Sequence, residues 1–265
     1  MFHWNRVNVV KGTVALALLV VAGNAEASVL TWNTCQSSCT FSLAASDRTE
    51  TGTNANKVMT FESVEDSSQI LTARAFQTTS ALGTGLILKA RINIFTGGLG
   101  AGTEGSPQHG VDNTGPDELI VFQLPTDDYV PVSFKIGYKN TDADISTFIG
   151  GSLLGLDNVM NLFLSGAFSW NSTGGALTST YGFTQQTFLD VNAGVSQFFT
   201  GGASGAFLII LARNEADSCG AGLCDGGEDR FKLEQVVAEA PQVAEPGTVL
   251  LLGLGLGALS LRRKR

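Results

Sequence analysis

Residues 130–139 read Val130-Pro131-Val132-Ser133-Phe134-Lys135-Ile136-Gly137-Tyr138-Lys139. Val130, Val132, Phe134, Ile136 and Tyr138 take every second position, and the residues between them are Pro, Ser, Lys or Gly. Successive side chains of a strand point to opposite faces, so this period of two predicts a half-buried β-strand. Pro131 has no N–H to donate, which suits a sheet edge or a strand start. The same reading extends along the chain. Leu86 to Phe95 alternates Leu86, Leu88, Ala90, Ile92 and Ile94 with Ile87, Lys89, Arg91, Asn93 and Phe95. Lys57 to Glu62, Ile70 to Phe76 and Phe231 to Val237 are further strand candidates. Leu119 to Leu124 and Ala206 to Arg213 are more uniformly apolar, as central strands are. Gly155 to Leu164 is the one segment that suits a helix as well as a strand. Many short strands, 32 glycines and little helical periodicity predict an all-β fold. The expected architecture is a single β-sandwich of jelly-roll type, with barrel closure as the alternative.

The ends of the chain differ from this middle. Arg6 and Lys11 precede an apolar run, Thr13 to Ala22, and Ala25-Glu26-Ala27 supplies an A-x-A cleavage site. Residues 1–27 therefore read as a signal peptide that commits the chain to Sec-type export, with cleavage after Ala27. At the other end, Val243-Ala244-Glu245-Pro246-Gly247 leads into an apolar run, Thr248 to Leu261, and then Arg262, Arg263, Lys264 and Arg265. As a helix that run would rise only ~21 Å. A bilayer core is ~30 Å thick, so the segment is a short transmembrane anchor. Gly253, Gly255 and Gly257 weaken it further. The four cations favour the cytoplasmic face. The expected layout is a signal peptide at 1–27, a β-sandwich domain at 28–237, a linker at 238–244 and a sorting tail at 245–265, with its membrane segment at 248–261.

Charge narrows the partners. Residues 28–244 hold ten Lys and Arg against twenty-two Asp and Glu. Such an acidic domain repels nucleic acid and anionic lipid, which excludes both as partners. The four cysteines form two local pairs, Cys35 with Cys39 and Cys219 with Cys224. An exported chain meets oxidising conditions, so disulfides are expected, in any of three pairings. A zinc site on the four thiolates is the competing reading.

The densest polar block is Gly97 to Phe122, GGLGAGTEGSPQHGVDNTGPDELIVF. His109, Asp112, Asn113, Asp117 and Glu118 lie in a loop that enters a strand. Oxygen ligands on a glycine-rich loop suit Ca²⁺, so Asp112, Asn113, Asp117 and Glu118 are candidate ligands for a calcium cofactor. Asp142 and Asp144, or Asp225, Glu228 and Asp229, are candidates to complete such a site. The plainer reading is turn chemistry, with Asx-turns at Asp112 and Asn113 and a turn at Gly115-Pro116. No other cofactor is expected. A hydrolase is the weaker alternative. A Ser-His-Asp triad would need His109, the one histidine after residue 27, and no G-x-S-x-G elbow is present. Asp117 and Glu118 are adjacent, so in a strand they cannot flank one glycosidic bond. Trp32, Trp170, Tyr129, Tyr138 and Tyr181 are expected in the core, with a sugar-stacking platform as the alternative. No catalytic residue is assigned, and the chain is expected not to be an enzyme.

The tail resembles the PEP-CTERM sorting signal of Gram-negative bacteria. Substrates with that signal are handled by exosortase, a membrane-embedded processing enzyme. The family's usual core is Val-Pro-Glu-Pro, and here Ala244 replaces its first proline. Glu245, Pro246, the glycine-rich apolar stretch and the terminal Arg262, Arg263, Lys264 and Arg265 follow the pattern. The tail is also catalogued as an ice-binding protein C-terminal domain, a label that does not imply ice binding. The block from Gly98-Leu99-Gly100 through Ser106-Pro107-Gln108-His109-Gly110-Val111-Asp112-Asn113-Thr114-Gly115 resembles, more loosely, one found in a subset of exosortase-dependent surface proteins. The resemblance implies export through the inner membrane, transient anchoring there, and release to the cell surface or extracellular matrix. It also implies an exosortase-type enzyme as a partner, with association with extracellular polysaccharide as a further expectation. A carbohydrate-binding module, calcium-assisted or not, is the alternative function.

Overall fold

The strand expected at residues 130–139 forms, and its partner organises the first of two antiparallel sheets. The structure, a computed structural model, describes residues 27–35, 48–80, 84–102, 110–113, 115–140, 143–154, 158–170, 175–212 and 229–241. The expected signal peptide up to residue 26 and the tail from residue 242 lie outside them, as do Cys39, His109, Asp142, Cys219, Cys224, Asp225 and Glu228. Residues 27–241 form one compact unit. At the centre of its first sheet is β16 (Arg230–Glu239). Strand β10 (Val130–Lys139) runs antiparallel along one side of it, from Val130 opposite Glu239 to Lys139 opposite Phe231. The other side is shared by three short strands. These are β8 (Val111–Asp112) at Arg230 and Phe231, β7 (Gly98–Ala101) at Leu233, and β1 (Val29–Asn33) from Gln235 to Glu239. Beyond them, β6 (Ile92–Phe95) pairs with β7, and β14 (Ser196–Phe198) pairs with β10.

The second sheet has the order β12 (Ser169–Trp170), β5 (Thr84–Ala90), β4 (Ile70–Ser80), β9 (Glu118–Gln123), β15 (Phe207–Ala212), β11 (Ile145–Gly150), β13 (Thr184–Phe188). Strand β3 (Val58–Glu62) also pairs with β4, and β2 (Arg48–Thr51) pairs with β3. A 3-10 turn, Asn54–Asn56, joins the last two.

Alternation along β9 and β15 divides their side chains between two cores. Ile120, Phe122, Leu208 and Ile210 join Phe134, Ile136, Leu233 and Val236 of the first sheet. Leu119, Val121, Ile209 and Leu211 face the opposite way, into a second cluster with Phe163, Phe168, Trp170 and Leu177. The second sheet is therefore buried on both faces, which is why β9 and β15 read as continuous apolar runs. Its outer cover comes from α1 (Val159–Ser165) and α2 (Gly175–Tyr181). Helix α1 resolves the ambiguous segment. The Asn158 side chain caps its start by accepting from the Asn161 N–H, and Gly166, with φ of 65°, ends it in the left-handed conformation. The Phe163 ring lies 5.2 Å from those of Phe76 and Phe168. Each such aromatic pair adds about 1 kcal/mol beyond its buried area.

Two expectations change. Leu86 to Phe95 is two strands: β5 ends at Ala90, the chain crosses sheets at Arg91, and β6 starts at Ile92. Leu86 and Leu88 are consequently exposed, while Ile87 faces the helix-covered core. In β10, the row expected in water is partly buried. Bulges follow Lys135 and Ile136, leaving Tyr138 at the surface and Lys135 inside. Lys135 Nζ lies 2.8 Å from Glu234 Oε1, with side-chain exposures of 5% and 2%. Pro131 behaves as its chemistry requires. It sits one residue into β10, beyond the reach of β14, with a bulge after it.

Glu65 links β1 to the turn between β3 and β4. Its Oε2 accepts from the Thr31 N–H at 2.6 Å and from the Ser63 hydroxyl at 2.8 Å. Burial opposes ionisation, but the bonds from Ser63 and Thr31 outweigh it and hold the carboxyl below its ordinary range. A depressed folded-state value stabilises the fold above the unfolded value and is lost as pH falls through the folded one. Stability from this contact is therefore expected at neutral pH and should fade below about pH 4. Urea midpoints across that range should fall less steeply in Glu65→Gln. Glu234→Ala removes the carboxylate 2.8 Å from Lys135 and should cost about 3 kcal/mol in urea unfolding. The paired change Lys135→Met with Glu234→Leu should recover most of that loss.

Candidate functional site

The polar block singled out in the sequence is drawn to the end of β16 where that strand begins. Pairing of β8 with β16 sets Asp112 opposite Arg230, and Arg230 Nε donates to Asp112 Oδ2 at 3.1 Å. Both side chains are almost fully buried. One residue further, Asn113 and Asp229 bind each other three times. The Asn113 backbone N–H donates to the Asp229 carbonyl at 3.4 Å, and Asn113 Nδ2 donates to Asp229 Oδ2 at 3.0 Å. In return, the Asp229 N–H donates to Asn113 Oδ1 at 3.1 Å.

The carboxylates then carry the network into the second sheet. Asp229 Oδ1 accepts from the Asp144 N–H at 2.8 Å, just ahead of β11. Asp144 Oδ1 accepts from the Asp190 N–H at 2.8 Å, just after β13. Asp190 has φ of 52°, a left-handed conformation that costs most residues but that Asp tolerates. The Asp144 contact holds it there. Residues Asn113, Asp229, Asp144 and Asp190 thus form a polar seam between the sheets, built from charge-assisted hydrogen bonds.

Glu118 joins the same region, as its Oε2 accepts from the Asp112 N–H at 3.3 Å. Gly102 has φ of 95°, which strains any other residue, and a Cβ there would stand 1.8 Å from Glu118 Oε1 and displace this carboxylate. Asp117 is buried beside it and anchored through its backbone. Its N–H donates to Thr78 Oγ1, and its carbonyl accepts from the Thr78 N–H, both at 2.9 Å. The sequence candidates Asp112, Asn113, Asp117 and Glu118 are therefore close together, and the contacts described above connect them to the fold. Among the described residues, no group of three or more His, Cys, Asp or Glu is arranged to hold a metal. His109, Asp142, Asp225 and Glu228 lie outside those residues.

The aromatic candidates are mostly internal. Trp32, Trp170 and Tyr129 are buried. Trp32 Nε1 donates to the Gln69 carbonyl at 3.0 Å, and the Tyr129 hydroxyl donates to Gln69 Oε1 at 2.6 Å. The Tyr181 ring lies 6.1 Å from that of Phe168, tilted by 48°. Tyr138 faces Lys232, whose Nζ lies 4.8 Å from its ring and 5.3 Å from the Phe95 ring. Desolvation lowers the Lys232 ammonium below its usual range, and the two rings together with the Thr96 carbonyl at 3.3 Å compensate. Cys35 is buried at the end of β1 and is not a free thiol. Cys39, Cys219 and Cys224 fall outside the described residues, so the choice among the three pairings falls there too.

Arg230, Asp190 and Thr78 had no local signal in the sequence. Asn113 and Asp229 are 116 residues apart, and only the β8–β16 register brings them together.

The family model of the PEP-CTERM protein-sorting motif matches residues 242–265. The chain therefore carries this motif, which marks an exported protein sorted to the cell surface by an exosortase-type enzyme. Searches of curated proteins and of solved structures find no match.

Asp229→Ala would remove the side-chain bonds to Asn113 and to the Asp144 backbone. Each such bond to a charged group contributes about 1.5–3 kcal/mol, so unfolding free energy should fall by about 3 kcal/mol or more. Chemical denaturation followed by tryptophan fluorescence reads this directly, since Trp32 and Trp170 are buried.

Proposed function

We propose that residues 28–241 are the cargo of an exported, non-enzymatic surface or matrix protein. In this reading residues 1–27 are a Sec-type signal peptide and residues 245–265 a removable anchor. The observation that carries it is the sorting-motif match at 242–265, immediately after β16 closes the first sheet at Glu239. Every described strand ends before the motif begins, so removing the tail would take none of them with it.

The N-terminal side supports the same division. Val29 pairs with Glu239, and the Ser28 carbonyl accepts from the Ala240 N–H at 2.9 Å. Cleavage after Ala27 would leave every residue of that ladder in place. Disulfides at Cys35, Cys39, Cys219 and Cys224 would suit the oxidising compartment such a protein enters.

On arrival, the proposed partner is extracellular polysaccharide of the matrix, and the domain acts as a structural component. The polar seam favours this over catalysis, because its carboxylates brace the two sheets. Burial of Trp32, Trp170 and Tyr129 removes most of the candidate sugar-stacking platform.

Mass spectrometry of the protein recovered from the cell surface tests the reading. The C-terminal peptide should end near Pro246, and the N-terminus should be Ser28. Glu245→Ala or Pro246→Ala should leave the tail intact and reduce the surface-released fraction at least tenfold, on the order of the loss of one well-made recognition contact. An intact C-terminus on surface protein, in cells that process related tails, would overturn the proposal.

A further inference from the structure

Three side chains converge where the β2–β3 hairpin of one sheet meets β6 of the other. Lys57 stands between the 3-10 turn and β3. Its Nζ donates to Asn93 Oδ1 at 2.8 Å and lies 2.7 Å from Glu50 Oε2. Glu50 is on β2, opposite Met59 of β3, and Asn93 is on β6, opposite Gly100 of β7. The Lys57 side chain is 15% exposed and that of Glu50 38%, so water reaches the amine only in part.

An amine that reaches both a carboxamide and a carboxylate brings together a nucleophile, an acyl carbon and a proton carrier. Each is fixed by its strand or turn, so the encounter is already made in the fold. A salt bridge needs only Lys57 and Glu50. The third group is what makes the cluster chemically different, because the Lys57 amine also faces an amide that it can acylate onto itself.

We infer that Lys57 and Asn93 become joined by an intramolecular isopeptide bond, with Glu50 carrying the proton. The Glu50 carboxylate takes a proton from the Lys57 ammonium. The freed Nζ lone pair forms a bond to Asn93 Cγ, giving a tetrahedral centre. The Cγ–Nδ2 bond then breaks, and its electron pair leaves with nitrogen. That nitrogen takes the proton from Glu50 and the second proton lost by Nζ, and departs as ammonium. An alkylammonium and a primary amide give a secondary amide and an ammonium ion, so atoms and charge balance. No oxidant, cofactor or co-reactant is required, and Glu50 ends as it began.

The bond would tie the two sheets covalently at an edge. Strand β6 ends the path of the first sheet, and β2 lies off the path of the second. The residues joined are 36 apart in sequence. The cross-link stands independently of the sorting proposal, since it depends on the folded domain and not on the tail.

The test is intact-mass measurement of the reduced full-length chain, with tryptic mapping. The wild type should be lighter by one ammonia than its mapped termini require. Trypsin should fail to cut after Lys57, and one branched peptide should contain both Lys57 and Asn93. Lys57→Arg keeps the ion pair and should show neither the mass loss nor the branched peptide. Glu50→Gln should fold, as a thermal melt will show, and should lose at least nine-tenths of the branched product. A wild-type chain of full mass that is cut after Lys57 would overturn the inference. So would a mass loss without the branched peptide, which would mean succinimide formation at an asparagine. A Glu50→Gln chain that cross-links as fully as wild type would overturn the role given to Glu50.

Discussion

The fold depends on one strand accepting partners on both sides along its whole length. Strand β16 pairs with β10 on one edge and with β8, β7 and β1 in turn on the other. That sharing imposes a close approach at Leu233. A Cβ on Gly98, whose φ is 131°, would lie 2.2 Å from the Leu233 carbonyl oxygen, so any other residue would push β7 away from its partner. Gly98 is therefore a packing requirement of the first sheet. The same strand carries Arg230 to Asp112 and Glu234 to Lys135, two buried ion pairs whose geometry exists only when the register is correct. Buried pairs of this kind add little net stability, but breaking one leaves a costly charge in the interior. They penalise a one-residue slip of β16, which would exchange its inward and outward faces.

The second sheet solves a different problem. Its central strands are apolar on both faces, and one sandwich partner can cover only one of them. Helices α1 and α2 cover the other, with Phe163 and Trp170 at the centre of the second cluster. At the far edge, Gln186 joins the sheets. Its Nε2 donates to the Thr200 carbonyl at 2.7 Å, and its Oε1 accepts from the Thr200 N–H at 2.9 Å. The side-chain amide satisfies backbone groups that a further strand would otherwise have bonded. The polar seam through Asp229 and Asp144 joins the sheets at one end of β16, while the apolar core between them fills the middle.

Much of this was legible because it is local. Period-two alternation identifies β10, and the continuous apolar runs at Leu119–Leu124 and Ala206–Arg213 mark the sheet interior. What alternation cannot show is a change of sheet within one run. Residues 86–95 keep their period across Arg91, yet within one row Leu86 and Leu88 are exposed while Ala90 and Ile92 are buried between the sheets. Nor can it show a bulge, and two of them invert the expected places of Lys135 and Tyr138. The polar block was visible as a concentration of Asp, Asn and Gly. Its role was not, because Asp112 and Asn113 find their partners at Arg230 and Asp229, more than a hundred residues away. The tail was legible for the opposite reason: its order of Glu-Pro, short apolar run and basic end needs no tertiary context.

The division between fold and address is the central claim, since it separates what residues 28–241 are from where residues 242–265 send them. It rests on the ladder that closes at Glu239 beside Val29 and Val130. Thermal unfolding of a chain ending at Pro241, beside one that retains the tail, tests it most directly. Both should melt cooperatively, with midpoints within about 2 °C, the shift expected for a change well under 1 kcal/mol. A chain ending at Pro241 that melts many degrees lower, or shows no cooperative transition, would mean that the tail belongs to the fold and would contradict the account.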